Sequence, residues 1–320
     1  MLIGARRLFP AQSRAAFWSV RLAMSTTLEG FLGMYAKVRG TQLYFDVEGA
    51  GMKVCDHGLE PKPVLLLLHG GPGGDHASFR GAMAALADTV QLIYLDHRGS
   101  GRSQPCDPAT YTLDENIDDV AAFCQYLGLN RVSILGQSYG GIVAQGVAIR
   151  YPDLVSNLIL SATAPSHRTL DQAKAKVAER GTPEQQRVCQ WLFDGTFQSQ
   201  EQLYEFYRLM GPWYSTTFDA QRFEVSWRQG IRNFEQLNLG FAGFLRTFDF
   251  TEQLASIRCP TLVLAGRHDW ICPVEQSYIL AERIPRAQLK VFEHSAHSIA
   301  ADENAAYVAA VRGFMTYPAA

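Results

Sequence analysis

Eight short apolar runs, separated by segments of helical periodicity, constrain the fold of this chain more than any other feature. Several runs are continuously apolar, as expected for strands buried on both faces of a parallel sheet. The predicted strands cover residues 35–38, 43–47, 64–68, 92–95, 132–135, 158–161, 262–265 and 289–292. The predicted helices cover residues 113–127, 138–150, 274–283 and 304–314. This alternation predicts an α/β fold with helices on both faces of the sheet.

The alternation stops between about residues 165 and 250, where helical patterns continue without a clear strand. Sixteen aromatic residues fall between Trp191 and Phe250. Such a density suits an apolar roof over a cleft, although a core of stacked helices would look similar. We therefore predict a core made of residues 31–164 and 251–320, with a helical cap at residues 165–250.

The first 28 residues contain four arginines and no acidic residue. An Arg-rich, acid-poor start is typical of an organelle transit peptide. We instead interpret residues 1–30 as a leader that is disordered or does not belong to the fold. The corresponding prediction for location is the cytoplasm, with organelle targeting as the alternative.

Charge and hydropathy exclude several classes of protein. Lys and Arg number 29 against 31 Asp and Glu, which gives a net charge of −2 and leaves no basic stripe for a nucleic-acid backbone. The longest plain aliphatic run, residues 64–68, is too short to cross a bilayer. We predict a protein that binds neither nucleic acid nor membrane. The sequence leaves the oligomeric state open.

The six cysteines form no C-x-x-C pair and show no zinc-finger spacing with histidine. A chain of this length does not need disulfides for stability, so we predict free thiols in a reducing compartment. The histidines at positions 69, 76 and 97 lack a recognised spacing of metal ligands. The sequence therefore predicts no metal site.

The sharpest local motif is G-Q-S-Y-G-G at residues 136–141, which follows a predicted strand and precedes a predicted helix. Glycines let a strand and a helix approach closely around a strained turn that exposes the serine hydroxyl. A Gly-rich turn with an incidental serine is the alternative. The context favours Ser138 as a nucleophile.

A serine hydroxyl needs a base to take its proton and a third group to orient that base. In this strand–turn–helix context the partners follow along the chain as acid and then histidine, each after a late strand. The loop after residues 262–265 contains Asp269, which is the predicted acid. The loop after residues 289–292 contains His294 and His297. We select His297 as the base, since the longer loop gives it more reach, and keep His294 as the second choice.

Acyl transfer also needs N–H donors for the developing oxyanion. One predicted donor is the backbone amide of Tyr139, directly after the serine. The other is the amide of Gly71 in the loop H-G-G-P-G-G at residues 69–74. The charged motif at residues 96–103 is interpreted as a hydrogen-bonded support for the loop beside the nucleophile.

Three motifs together resemble the proline iminopeptidase-like (prolyl aminopeptidase) branch of the α/β-hydrolases. They are H-G-G-P-G at residues 69–73, D-x-R-G-x-G-R-S at 96–103 and G-x-S-Y-G-G at 136–141. The resemblance covers residues 35–314 and implies an eight-stranded, mostly parallel sheet, a helical cap inserted after the sixth strand, and no cofactor. Ser138, Asp269 and His297 match the family's triad positions, and Gly71 and Tyr139 match its oxyanion hole.

The resemblance also implies release of an N-terminal residue, often proline, from peptides or small amides. Family peptidases hold the substrate's amine with carboxylates, some of them on the cap, for which Glu224 and Glu235 are the candidates here. A solvated helix face is the alternative interpretation of both. This chain departs from the family at Trp227-Arg228, where part of the family has W-E, and at Trp270, where another part has Glu.

We therefore predict a serine hydrolase that cleaves a proline-type N-terminal residue from peptides or small amides through an acyl-enzyme. A carboxylesterase or lactonase with the same triad is the first alternative. A non-catalytic ligand-binding protein of this fold is the second.

Overall fold

Eight strands form one sheet in the computed structural model, which describes residues 34–316. They are β1 (Met34–Val38), β2 (Thr41–Glu48), β5 (Val64–Leu68), β6 (Gln91–Leu95), β7 (Val132–Gln137), β8 (Val155–Ser161), β9 (Thr261–Gly266) and β10 (Ala287–Phe292). Their order across the sheet is β1-β2-β6-β5-β7-β8-β9-β10. Only β1–β2 and β2–β6 pair antiparallel in this sheet, and the other neighbours are parallel. Each of the eight predicted strands lies within one of these strands, whereas the predicted leader lies outside the described residues.

Both faces of the sheet are buried, because alternate residues of its central strands enter different apolar clusters. In β5, Leu66 and Leu68 belong to the cluster packed under α1 (Leu113–Tyr126), α2 (Tyr139–Arg150) and α8 (Val274–Arg283). Leu65 and Leu67 belong to the opposite cluster, under α10 (Asn304–Thr316). All four predicted helices are present, so the predicted α/β architecture is confirmed.

A small exposed hairpin is absent from the sequence prediction. Its strands, β3 (Met52–Cys55) and β4 (Gly58–Pro61), pair with each other as a separate two-stranded sheet. Their apolar residues Val54 and Leu59 are 85% and 66% exposed. Strands of four residues that bury little surface leave no apolar run by which to recognise them.

Five helices follow one another between β8 and β9. They are α3 (Arg168–Arg180), α4 (Pro183–Asp194), α5 (Gln200–Tyr214), α6 (Ala220–Gln229) and α7 (Phe234–Ala242). Local sequence explains their limits: for example, Thr182 and Gln185 form a reciprocal capping box at the start of α4, and Gly195 ends that helix in a left-handed conformation. We call residues 165–250 the helical segment. Its division from the core as a separate cap stays a prediction.

The two ends of the helical segment are hydrogen bonded to each other. Ser166 and Asp249 form an isolated antiparallel bridge. The amide of Phe250 donates to the carbonyl of Pro165 at 2.9 Å, and the amide of His167 donates to that of Phe248 at 2.9 Å. The chain therefore enters and leaves this segment at one place.

The cysteines and the lengths of the helices complete the description of the fold. All six cysteines lie within the described residues and are free, as predicted from the sequence. Among residues 34–316, every helix is too short or too polar to cross a bilayer.

Candidate active site

Ser138 occupies the turn between β7 and α2. Its backbone has φ 54° and ψ −119°, a strained conformation for a residue with a side chain. The turn is possible because Gly136 and Gly140 stand where any Cβ would lie 2.2 Å and 2.0 Å from the carbonyl oxygens of Gly140 and Leu68. The amide of Ser138 donates to the carbonyl of Ser161 at 2.9 Å, which fixes the turn to β8. This geometry is the strand–turn–helix elbow that the motif predicts.

Asp269 and His297 meet at the carboxyl ends of β9 and β10, which are parallel neighbours. Nδ1 of His297 lies 2.7 Å from Oδ2 of Asp269. The other carboxylate oxygen accepts hydrogen bonds from the amides of Ile271 and Cys272, both at 2.9 Å. Asp269 is fully buried and His297 is nearly so. The acid is thus held from one side by backbone amides and presents its other oxygen to the imidazole.

The second choice for the base, His294, is placed differently. Its side chain is exposed, and its backbone amide donates to Oε2 of Glu303 at 3.1 Å. Of the two histidines, His297 is therefore the one that the structure brings to Asp269.

An aromatic residue of the helical segment, which sequence analysis does not identify, packs against the imidazole. The ring of Tyr214, the last residue of α5, meets that of His297 edge to face at 5.4 Å between centroids. The same ring also contacts that of Trp270, next to the acid, at 5.4 Å. No local motif marks Tyr214, because the two residues by which it meets the site, Trp270 and His297, lie more than fifty positions away along the chain.

The loop at residues 69–74 lies directly beside the serine. A Cβ on Gly70 would stand 3.2 Å from the Cβ of Ser138. Gly71 lines the same cavity as Ser138. Tyr139 is the first residue of α2, so its N–H has no acceptor within the helix and lies at the positive end of the helix dipole. Tyr139 therefore adjoins the serine directly, and Gly71 belongs to the loop that borders it and faces the same cavity.

The charged loop at residues 96–103 is held by hydrogen bonds, as expected for a structural support of the loop beside the serine. Oδ1 of Asp96 accepts hydrogen bonds from the amide and from Nδ1 of His76, at 2.8 and 2.7 Å, and Oδ2 accepts one from the amide of Arg102 at 2.9 Å. Nε and Nη2 of Arg98 bind both oxygens of Asp119 at 2.6 and 2.7 Å. These bonds join the loop to the core rather than to the cavity.

Each of these two loops contributes a buried histidine, His97 from the charged loop and His69 from the glycine loop. Nε2 of His69 accepts a hydrogen bond from the amide of His97 at 3.1 Å, which requires a neutral ring. Burial lowers the pKa of His69 and lowers that of His97 well below the usual value, although Asp96 opposes both shifts. Neither His69 nor His97 is among the residues that line the cavity in front of Ser138.

A cavity of about 440 Å³ opens in front of the serine. Ser138 and His297 line it from the core. Its other wall comes from the helical segment and combines an apolar part with a polar part that includes Asp219, Arg222 and Arg232. The apolar part includes Leu203, Tyr207, Tyr214, Phe218, Phe223 and Phe241. The size and lining are those of a small-molecule site with an apolar subsite.

The predicted amine-binding residues do not reach this cavity. Glu224 accepts a hydrogen bond from the hydroxyl of Tyr204, and Glu235 is exposed on the first turn of α7. Neither is among the residues that line the cavity. The carboxylates that do line it, among the described residues, are Asp75 and Asp219. Which face of a helix meets the cavity depends on tertiary packing, which local sequence does not determine.

Two groups of described side chains have ligand atoms within 4.8 Å of one another, as a metal would require: Cys55, His57 and Glu60 on the hairpin, and Asp269, Cys272 and His297 in the site. In the second group, Asp269 and His297 already bind each other. Burial raises the pKa of Cys272 well above its usual value, which disfavours the thiolate that metals bind. The donor set therefore suits an acid–base pair better than a metal.

Comparison with known proteins defines the class. Residues 63–303 match the model of the alpha/beta hydrolase fold, and the chain therefore belongs to this family. The eight-stranded, mostly parallel sheet that the motifs imply is that of the family, so the predicted fold class is confirmed.

Within the family, the predicted resemblance to proline iminopeptidases is also confirmed. The chain is 33% identical over 287 residues to the proline iminopeptidase PfmaB of Pestalotiopsis fici, covering 88% of this chain and 98% of that protein. It is 31% identical over 251 residues to the putative carbamate hydrolase RutD of Rhizobium rhizogenes, covering 76% and 89%. The crystal structure of the Mycobacterium smegmatis proline iminopeptidase shares the fold, with a TM-score of 0.70, 22% identity and coverage of 88% and 97%.

Proposed function

We propose that this protein is a serine hydrolase that cleaves small amides or esters through an acyl-enzyme formed on Ser138. The observation that carries the proposal is the meeting of three features at one cavity. These are a strained serine at an elbow, the His297–Asp269 hydrogen bond of 2.7 Å, and a glycine loop beside the serine. Ligand binding alone does not require these three features together, which argues against a non-catalytic binding protein.

The proposed reaction begins with proton transfer. Because Nδ1 of His297 donates to Asp269, Nε2 is left to accept the proton of the serine hydroxyl. The Ser138 oxygen attacks the substrate carbonyl, and the amides of Gly71 and Tyr139 stabilise the tetrahedral oxyanion. His297 then protonates the leaving group, and water, activated by the same histidine, releases the acyl group.

The relatives favour a peptide as the substrate, with a proline-type residue removed from its N-terminus. PfmaB is named a proline iminopeptidase and is similar over nearly its whole length. Another relative is named a putative carbamate hydrolase. Apolar and aromatic side chains opposite the serine would suit a pyrrolidine ring.

A carboxylic ester or lactone is the second candidate, and the cavity's carboxylates favour it. Asp75 is buried and accepts hydrogen bonds from the amides of Ala77 and Ile231, at 3.1 and 2.8 Å. Asp219 accepts one from the amide of Arg222 at 2.8 Å and lies 3.8 Å from the Nε atom of Arg222. Within residues 34–316, the cavity therefore offers a substrate amine two carboxylates, both already hydrogen bonded, of which Asp219 is the exposed one.

Initial rates on prolyl p-nitroanilide and p-nitrophenyl butyrate test the proposal. We expect turnover of at least one of them, and Ser138→Ala should abolish it while thermal unfolding shows an intact fold. Turnover that survives in Ser138→Ala would show that the nucleophile is wrong. Failure of a fluorophosphonate probe to label Ser138 would contradict the whole proposal.

A second variant separates the two substrate classes. If the amine binds at the cavity wall, Asp219→Asn should raise the KM of the prolyl amide and leave that of the ester unchanged. Glu235→Gln, on an exposed face, is the matched control and should change neither. An enzyme that turns over the ester alone belongs to the second candidate class.

A further inference from the structure

We infer that Asp302 is a positioning residue that fastens the loop carrying His297 to the end of α5. This inference rests on the proposed function, since it takes His297 as the base. Asp302 is the last residue of α9 (Ile299–Asp302), five positions after the histidine. Neither the family motifs nor the predicted triad includes it.

The carboxylate of Asp302 holds the histidine loop directly. Its Oδ2 atom accepts a hydrogen bond from the backbone amide of Ala296, the residue immediately before His297, at 2.9 Å. A hydrogen bond from an amide to an ionised carboxylate is stronger than one between neutral groups. The backbone that orients the imidazole is therefore held by this side chain.

The same carboxylate holds the helical segment just beyond α5. Oδ1 accepts hydrogen bonds from the hydroxyls of Ser215 and Thr217, at 2.5 and 3.0 Å. The amides of Thr216 and Thr217 approach Oδ2 and Oδ1, both at 3.2 Å. One side chain thus joins two parts of the chain that lie about eighty residues apart.

Further contacts join the same two parts on either side of the histidine. The hydroxyl of Thr216 donates to the carbonyl of His294 at 2.5 Å, and the amide of Ser298 donates to that of Tyr214 at 2.8 Å. Between these bonds the ring of Tyr214 packs edge to face on the imidazole. A shift of the end of α5 would therefore move the backbone on both sides of His297.

Glu303 provides a contrast within the same loop. Its Oε2 atom accepts hydrogen bonds from the amide of His294 and the hydroxyl of Ser295, at 3.1 and 2.7 Å. These two partners belong to the histidine loop, whereas four of the five donors to Asp302 belong to the helical segment. The coupling between the two parts is therefore concentrated in Asp302.

The test compares kcat per active site in Asp302→Ala, Asp302→Asn and the pair Ser215→Ala/Thr217→Ala. Active sites are titrated with a fluorophosphonate, and both its labelling rate and p-nitrophenyl butyrate turnover are measured. We expect each rate per titrated site to fall by about 10- to 100-fold in Asp302→Ala, since a shift of about 1 Å in a catalytic group costs up to about 10². KM should change little.

The helical-segment pair should lower the same rates, and combining it with Asp302→Ala should add no further loss, because both remove one set of contacts. Asp302→Asn keeps the shape of the side chain. If Asp302→Ala does not fold, the rates of Asp302→Asn and of Ser215→Ala/Thr217→Ala are compared with the wild type instead. Asp153→Asn is the matched control, since Asp153 is exposed and pairs with Arg258. Its rates should equal those of the wild type.

Three outcomes would overturn the inference: unchanged rates per site, losses that multiply in the combined variant, or a fall only in the fraction of titratable sites. The last result would mean that Asp302 supports folding alone. A wild-type protein that the probe does not label at Ser138 would overturn the proposed function as well, so the two failures are distinguishable.

Discussion

At the level of single residues, the hydrogen bonds of Asp269 determine what its carboxylate can do. One oxygen is occupied by two backbone amides, and the other faces Nδ1 of His297. Both oxygens must act as acceptors in this arrangement. Asparagine at this position would offer only one acceptor oxygen. Its NH₂ group would therefore face either the two backbone amides, which are also donors, or Nδ1 of His297.

We expect Asp269→Asn to lower kcat by about 10⁴ while the protein stays folded, because the histidine would be held in the wrong tautomer. Steady-state kinetics on the better of the two chromogenic substrates measure the effect, and circular dichroism verifies the fold. A loss of less than tenfold would contradict the role of Asp269 as the orienting acid.

The sequence could place Ser138, Asp269 and His297 because each follows an apolar strand, and parallel strands bring their carboxyl ends to one edge of the sheet. Glu224 and Glu235 could not be placed in the same way, since the facing of a helix in the helical segment depends on contacts made far along the chain. Tyr214 and Asp302 had no signal for the same reason. The contacts that tie them to the site join residues between about fifty and eighty-seven positions apart in the chain.

At the level of elements, α7 is joined to the core by one buried amide. Nε2 of Gln236 donates to the carbonyl of Arg98 at 2.6 Å, and its Oε1 accepts from the hydroxyl of Ser100 at 2.5 Å. The side chain is buried, so both partners depend on it. This contact links the helical segment to the loop at residues 96–103.

Gln236→Leu should lower the free energy of unfolding by about 2 kcal/mol or more, because a buried polar group left unpaired costs about 1–3 kcal/mol. Urea denaturation measures the change. Glu235→Gln, one residue earlier on the exposed face, should stay within about 0.5 kcal/mol of the wild type. Equal stabilities of the two variants would show that the buried amide carries no such link.

At the level of the whole molecule, the buried histidines make stability depend on pH. Burial lowers the pKa of His69 and that of His97 in the folded state. An unfolded histidine titrates near 6.5. Below about pH 6.5 the unfolded chain therefore binds more protons at these positions than the folded chain, and stability falls as the pH decreases toward the folded-state pKa values.

We expect the free energy of unfolding to fall between pH 7 and pH 5, and to fall less steeply in His97→Gln. Urea denaturation at several pH values gives the slope, which is the relevant quantity even if the variant is less stable overall. His57→Gln, at a position with an 81% exposed side chain, is the control and should keep the wild-type slope. An unchanged slope in His97→Gln would contradict the assignment.

The bridge between Ser166 and Asp249 brings both ends of the helical segment together. The strands before and after the segment, β8 and β9, pair with each other directly and without its residues. Because the two ends of the segment are adjacent in space, a segment of another length or composition can replace it without separating the strands on either side. Such an exchange would renew one wall of the cavity and leave Ser138, Asp269 and His297 on the sheet, provided that the contacts to Asp302 are rebuilt. A lineage can in this way change which ligands its cavity admits while it keeps the residues that the sheet carries.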